Sequence, residues 1–210
     1  MQNLFVMPHP EMPQDREATP YLCTPLQEEY TQYLHHWETL RRTQQRAEYT
    51  GPMDTAPYLS IVMPIYHPDP PFLHAAIHSV LEQHYPHWEL LLVFDGPQPD
   101  PVQCVVNDAA TLDSRITLLR LPEHSGISAA TNAGVRAAKG DYVGFLDHDD
   151  LLEPTTLGII AAGIACATYA PDLLYTDHDK IDGDGNRYDP EFKPDWSPET
   201  LLSSCYIGHF

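Results

Sequence analysis

Residues 142–150 read YVGFLDHDD, an apolar run that ends in three carboxylates. Two of them, Asp147 and Asp149, are one residue apart, and alternate side chains of an extended chain point the same way. Hard oxygen ligands at the end of a strand suit a Mg²⁺ or Mn²⁺ ion that bridges to a substrate diphosphate. The spacing alone favours such a metal site and a solvated turn about equally.

Two further polar groups stand where other predicted strands end. Tyr66 closes the first strand of the core and Asp95 closes the second. Because parallel strands open their carboxyl ends onto one crevice, both residues are expected near Asp147. There Tyr66 can stack on a nucleobase, and Asp95 can accept a hydrogen bond from a ring N–H or a ribose hydroxyl. For each residue taken alone, a core aromatic and a simple turn are the favoured alternatives.

A loop of small residues precedes a predicted helix at 127–138, with the sequence EHSGISAATN at 123–132. The free N–H groups of a helix N-terminus can contact a diphosphate or a ribose. An N-cap at Ser125, followed by close packing of alanines on the sheet, is the structural alternative. The two interpretations are compatible.

The chain is strongly acidic, with 30 Asp and Glu against 11 Lys and Arg in 210 residues and a formal charge of −19. Such a surface repels nucleic acid and anionic membranes, so neither is an expected partner. A bound diphosphate would need a metal ion to offset the local negative charge. The longest apolar stretch, 157–170, is too short for a transmembrane segment, and the scattered cysteines fit reduced thiols in the cytoplasm.

Strands and helices alternate through the core, which predicts an α/β fold with a mostly parallel sheet flanked by helices. We expect two regions, a tail and amphipathic helix at 1–56 and a ligand-binding domain at 57–210. The predicted strands cover 59–66, 88–94, 116–121, 141–146 and 173–176. The predicted helices cover 26–48, 71–83, 102–112, 127–138 and 154–168.

After Asp177 the pattern changes. The turn-forming run at 182–186 predicts a hairpin, and a short helix is expected near 197–204. Residues 206–210 resemble the start of another strand, so we expect the domain to be truncated at its C-terminus. His74 and His78 have the spacing of a zinc-binding helix but lack the Glu that would act as base, which favours a solvated helix face.

Three ordered segments together resemble a known family. They are YLSIVMPIYHPDPPFLHAAIHSVLEQHYPHWELLLVFDG, HSGISAATNAGVRAAKGDYVGFLDHDDLLEP and LLYTDHDKIDGDGNRYDPEFKPDWSPETLLSSCYIGHF. The chain is similar to family 2 glycosyltransferases with the GT-A fold, and most similar to bacterial rhamnosyl- and polysaccharide-type enzymes. The resemblance covers residues 57–210, and 26–48 resembles a helix that such proteins often carry upstream.

The resemblance implies roles for individual positions. It implies that Tyr66 and Asp95 hold the nucleotide base. It also implies that Asp147 and Asp149 hold a metal ion, Mn²⁺ or Mg²⁺, together with the donor diphosphate. The remaining positions it implies are Gly126, Ser128 and Asn132 in the nucleotide-sugar pocket, and the acidic residues Asp177 and Asp179 facing the sugar and the acceptor. The departures from the family pattern are Phe94, His67 and His178, where an acidic residue, Asn and Glu are usual.

The resemblance also implies the reaction. It implies an inverting, hexosyltransferase-type transfer from a nucleoside-diphosphate sugar to a saccharide or lipid-linked acceptor, in surface polysaccharide synthesis. The expected location is cytoplasmic and peripheral at the inner face of the membrane. The family's usual base lies beyond Tyr206, so Asp177 or Asp179 would have to replace it, and we expect little transfer by these 210 residues alone. The alternatives are a phosphatase with Asp147 as nucleophile and a non-catalytic regulatory remnant.

Overall fold

A computed structural model describes residues 2–4, 30–36 and 48–208. Its centre is a four-stranded parallel sheet whose strands, in order across the sheet, are Ile116–Arg120 (β4), Trp88–Phe94 (β3), Leu59–Ile65 (β2) and Tyr142–Phe145 (β5). The strands of the chain are β1 (Gln2–Leu4), β2 (Leu59–Ile65), β3 (Trp88–Phe94), β4 (Ile116–Arg120), β5 (Tyr142–Phe145), β6 (Leu151–Leu152), β7 (His178–Ile181) and β8 (Arg187–Glu191). The helices are α1 (30–36), α2 (Pro70–Leu81), α3 (Asp100–Leu112), α4 (Ile127–Ala137), α5 (Thr156–Cys166) and α6 (Pro198–Ser203). This architecture confirms the predicted fold class.

The two central strands, β2 and β3, are buried on both faces, as their nearly continuous apolar sequences predict. One face packs against α2, α3 and α5 and forms the larger core. The opposite face packs against α4 through Val62, Leu91, Val93 and Ala130. Burial of both faces fixes the register, so each strand must end at a defined place along the sheet.

Helix α4 lies unusually close to the sheet because its inner face carries small residues. A Cβ atom at Gly134 would stand 2.3 Å from Cγ1 of Val62, nearer than atoms can approach. Glycine at this position therefore sets the height of α4 above β2. The same contact fixes where the helix N-terminus lies relative to the strand ends.

A second, mixed sheet has the order β6-β1-β7-β8. Strand β1 runs parallel to β6 and antiparallel to β7. Strands β7 and β8 form the predicted hairpin, closed by Asp182, whose Oδ1 accepts hydrogen bonds from the backbone N–H groups of Asp184 and Asn186, each at 2.9 Å.

Helix α1 packs on this hairpin, as its amphipathic pattern indicates. Tyr30 is fully buried and its hydroxyl donates a hydrogen bond to Asp179 of β7. The ring of Tyr33 meets that of Phe192 edge to face, with centroids 5.7 Å apart. Residues 26–29 and 37–47 of the predicted upstream helix lie outside the described residues.

Some predicted elements differ from the structure. The predicted strand at 173–176 does not form, because that segment lines a cleft beside β5 and joins neither sheet of the described chain. The prediction that a strand begins at 206 is wrong over residues 206–208, because these residues form a turn and not a strand. Residues 2–4, placed in a loose tail, form β1, while 1 and 5–25 lie outside the described residues. Of the helices in the described ranges, none has the length and apolarity to cross a bilayer.

Candidate functional site

Three strands of the parallel sheet end at the same edge. Ile65 of β2 pairs with Phe94 of β3, and Phe145 of β5 pairs with Val62. Tyr66 and Asp95 directly follow β2 and β3, and the Asp147 turn lies beyond the end of β5, so all three stand at the carboxyl-terminal edge of the sheet. Asp147 does not directly follow its strand: β5 stops at Phe145, and Leu146 still donates to the Val62 carbonyl at 3.1 Å.

The buried carboxylate of Asp95 holds the loop that leads into α4. Its Oδ1 accepts the N–H of Ser125 at 2.7 Å, and its Oδ2 accepts the N–H of Gly126 at 3.0 Å. His124 Nδ1 lies 2.8 Å from the same Oδ2. Both oxygens are thus engaged within the protein, and the principal structural role of Asp95 is to anchor this loop.

Gly96 allows the loop to approach this closely. Its φ of +82° is a conformation that side chains disfavour, and an added Cβ would stand 2.6 Å from the backbone nitrogen of His124. The turn after β3 and the loop before α4 are consequently in direct backbone contact.

The ring of His124 stacks on the ring of Tyr66, with centroids 3.9 Å apart and planes inclined by 18°. Tyr66 remains 44% exposed, so part of its surface is open to a ligand. His124 is the site residue that the sequence prediction missed. His124 lies in the loop between the strand end at Asp95 and the small residues from Gly126 onward, two features that indicate a binding site more clearly than a single loop histidine does.

Helix α4 begins after Gly126, which has a φ of +89°. The predicted N-cap at Ser125 is wrong, because no side chain caps this helix and the Ser125 hydroxyl instead donates to the Glu123 carbonyl at 3.2 Å. Ser128 and Asn132 are exposed on α4. A helix start without a side-chain cap, beside exposed polar groups, can accept an anionic ligand.

Asp147 and Asp149 lie in a turn, in which the N–H of Asp150 donates to the Asp147 carbonyl at 3.2 Å. The predicted alternation of this pair on a strand is therefore wrong, because β5 has already ended at Phe145. Both side chains are exposed, and Asp149 Oδ1 is 3.8 Å from His148 Nδ1. Over the described ranges, no group of three or more His, Cys, Asp or Glu residues is arranged to hold a metal ion.

A cleft of about 780 Å³ runs from this turn along the free edge of β5. Asp147 and Asp150 lie in its wall together with Thr176, which directly precedes Asp177. Tyr66 and Asp95 do not line this cleft. The candidate site thus has two parts, an aromatic part at the ends of β2 and β3 and an acidic part at the end of β5.

The two predicted catalytic carboxylates lie in different environments. Asp177 is half-buried, and its Oδ1 accepts the N–H of Lys193 at 2.7 Å. Asp179 is fully buried beneath α1, where Oδ2 accepts hydrogen bonds from Tyr30 and, at 2.6 Å, from Arg187 Nε. Burial raises the pKa of Asp179, although Arg187 opposes this effect. In this arrangement Asp179 joins α1 to the hairpin rather than facing a ligand.

Comparison with known proteins gives the family. Residues 60–197 match Glycosyl transferase family 2. An uncharacterized protein, y4gI, of Sinorhizobium fredii is 38% identical over 157 residues, which are 75% of this chain and 17% of that protein. The O-antigen biosynthesis protein RfbC of Myxococcus xanthus is 39% identical over 154 residues, covering 73% of this chain and 12% of the relative.

Among solved structures, S. aureus TarS 1-349 is similar, with 23% identity and a TM-score of 0.46 over 51% of this chain and 32% of that one. The chain spans less than a fifth of the length of y4gI and of RfbC. The family match covers well over half of the chain, so the protein belongs to glycosyl transferase family 2. The predicted family is confirmed.

Proposed function

We propose that this chain binds a nucleoside-diphosphate sugar, with a divalent metal ion, as the donor domain of a glycosyltransferase. One observation carries the proposal. In a family 2 chain, the ends of β2, β3 and β5 bring an aromatic pair, a helix N-terminus and an acidic turn to one edge of a parallel sheet. These groups match the base, the diphosphate and the metal ion of a nucleotide sugar.

The nucleobase would bind at the aromatic part. Tyr66, supported from one side by His124, offers its exposed surface for stacking. Asp95 would act there mainly through the loop that it holds, although it was predicted to read the base directly. The backbone N–H groups at the start of α4, with Ser128 and Asn132, would contact the ribose and the diphosphate.

The acidic turn fits a divalent ion by the chemistry of its donors. Mg²⁺ and Mn²⁺ take oxygen ligands and are commonly held by one or two carboxylates together with waters and substrate phosphates. Asp147 and Asp149 supply two exposed carboxylates of this kind. Bound there, the ion would stabilise the negative charge that develops on the departing nucleoside diphosphate. In a chain with a net charge of −19, it would also offset repulsion of the donor.

Inverting transfer needs a carboxylate that takes the proton of the attacking acceptor hydroxyl. We assign this role to Asp177, because its neighbour Thr176 lines the same cleft as Asp147. Asp179, the other predicted base, would serve instead as the buried partner of Arg187. The cleft beside β5 would then receive the saccharide or lipid-linked acceptor.

The pathway is inferred from the relatives. RfbC is described as an O-antigen biosynthesis protein. A further relative, TuaG of Bacillus subtilis, is described as a putative teichuronic acid biosynthesis glycosyltransferase and is 36% identical over 94 residues, which are 45% of this chain and 36% of that protein. These descriptions support our proposal that the reaction belongs to the synthesis of a surface polysaccharide. We further propose that it is a hexosyl transfer and that it occurs at the cytoplasmic face of the membrane.

Calorimetric titration with UDP and dTDP, in Mn²⁺, in Mg²⁺ and in EDTA, tests the proposal. We expect binding of one nucleotide that requires the metal ion, and we expect Asp147→Asn or Asp149→Asn to weaken it roughly tenfold or more through loss of a carboxylate ligand. Asp184→Asn, which makes the same charge change in the exposed hairpin turn, is the control. Equal binding in EDTA would exclude the metal role, and no binding of either nucleotide would exclude the donor site.

A further inference from the structure

The outer face of α2 carries two histidines that the proposed reaction does not use. His74 and His78 are both exposed, and they lie one helical turn apart. Their rings are nearly parallel, with centroids 5.9 Å apart and planes inclined by 21°. The two imidazoles therefore face the same region of space outside the helix.

We propose that His74 and His78 form a second metal site, which binds Zn²⁺, Ni²⁺ or Cu²⁺ through two imidazole nitrogens. Imidazole is a preferred ligand of these ions, whereas Mg²⁺ and Mn²⁺ prefer the carboxylate oxygens found at Asp147 and Asp149. The pair is held by the helix backbone, so the first bound nitrogen brings the second into reach at little further entropic cost.

Glu82 supports the site from one turn further along the chain. Its Oε1 lies 3.4 Å from Nδ1 of His78. A carboxylate near one ring nitrogen favours the proton on that nitrogen and leaves Nε2 as the metal ligand. This arrangement orients the ring of His78, as outer carboxylates do in known metal sites.

A shallow groove of about 480 Å³ gives the ion room for further ligands. One wall is formed by His74, His78 and Glu82, and the other by Leu151, Leu152, Glu153 and Pro154. Since the described residues supply no cluster of three metal-binding side chains, water would complete the coordination. The open positions suit a binding site of moderate affinity, and the missing general base excludes zinc-protease chemistry at this helix.

The first test locates the ion. Tag-free ¹⁵N-labelled protein is titrated with paramagnetic Ni²⁺, and we expect the earliest loss of amide signals around residues 74–82 and 151–154. Zn²⁺ calorimetry then measures affinity for the wild type, His74→Ala, His78→Ala and the double variant. Each single change should weaken Zn²⁺ binding roughly tenfold or more, because only one imidazole remains. His84→Ala, an exposed histidine paired with Glu48, is the matched control.

The variant Glu82→Gln distinguishes a built metal site from two histidines that bind a metal ion without support from their surroundings. It should lower the Zn²⁺ affinity by roughly tenfold, the lower end of the usual effect of an outer carboxylate. Unchanged Zn²⁺ affinity in the double variant, or Ni²⁺ broadening centred elsewhere, would overturn the proposal. Mn²⁺-dependent nucleotide binding by the double variant should equal that of the wild type. The proposals for this site and for the donor site are therefore tested independently.

Discussion

His124 Nδ1 lies 2.8 Å from the buried Oδ2 of Asp95, while the imidazole ring covers one face of Tyr66. One side chain thus joins the ends of β2 and β3 to the loop before α4. A histidine held by a buried carboxylate has a fixed ring orientation, which makes it a rigid support for the tyrosine. The nucleobase end of the proposed site therefore exists before any ligand binds.

Substitution of His124 by Ala should weaken nucleotide binding. The stacked pair is worth about 0.5 to 1.5 kcal/mol, so we expect the dissociation constant of UDP or dTDP to rise roughly twofold to twelvefold. Calorimetry in Mn²⁺ measures the change, and His84→Ala is a remote control. Tighter binding by His124→Ala would show that the imidazole blocks Tyr66 instead of supporting it.

Substitution of Asp95 by Ala should destabilise the fold as well as the site. It leaves the N–H groups of Ser125 and Gly126 without their acceptors, at a cost of about 3 kcal/mol in the free energy of unfolding. Urea denaturation checks this value. Asp108→Ala on the exposed face of α3 should change stability by less than about 0.5 kcal/mol. A comparably small effect at Asp95 would contradict its anchoring role.

The central sheet was predictable because its signals are local. Strand β3 falls exactly on the predicted residues 88–94, and β2 stops one residue before the predicted end. A strand with a continuous apolar sequence must be buried on both faces, so the composition alone predicts that it lies in the centre of the sheet. Helix α2 also occurs, at Pro70–Leu81 against the predicted 71–83.

The details of the site depend on residues far apart in the chain. Tyr30 and Asp179 are 149 positions apart, yet they share a buried hydrogen bond, and no periodicity predicts such a pair. The family resemblance implied that Asp179 faces the sugar and the acceptor, but a matching position in the sequence does not reveal whether a carboxylate is buried. Only the packing of α1 on β7 distinguishes the two environments. The same holds for His124, whose partners belong to other elements.

Gly96→Ala tests whether the close backbone contact sets the position of the loop. The positive φ alone costs a non-glycine residue roughly 1 to 2 kcal/mol, and the added Cβ would also press on the His124 backbone. We expect the free energy of unfolding to fall by about 2 kcal/mol or more, with weaker nucleotide binding. Gly183→Ala, where an added Cβ meets nothing within 4 Å, should leave both quantities nearly unchanged.

The hydroxyl of Tyr30 should make stability depend on alkaline pH. Burial raises the pKa of Tyr30 above its ordinary value of 10.0, and the hydroxyl donates to the Asp179 carboxylate. Below pH 10 both the folded and the unfolded states keep the proton, so the contribution of this bond is complete, about 1.5 to 3 kcal/mol. Above pH 10 the unfolded chain releases the proton first, and stability falls as pH rises towards the folded pKa.

Tyr30→Phe removes this hydroxyl while keeping the ring. The variant should be less stable than the wild type at pH 8, and the difference should shrink between pH 10 and 11, as measured by urea denaturation. Tyr33 and Tyr85, whose pKa values burial raises to about 12, titrate in both proteins, so the difference isolates Tyr30. Tyr169→Phe, at a position 86% exposed, should follow the wild type throughout. Equal stability of Tyr30→Phe and the wild type at pH 8 would mean that Tyr30 contributes through its ring and not through the bond to Asp179, and a difference that stays constant with pH would contradict the link between the Tyr30 proton and folding.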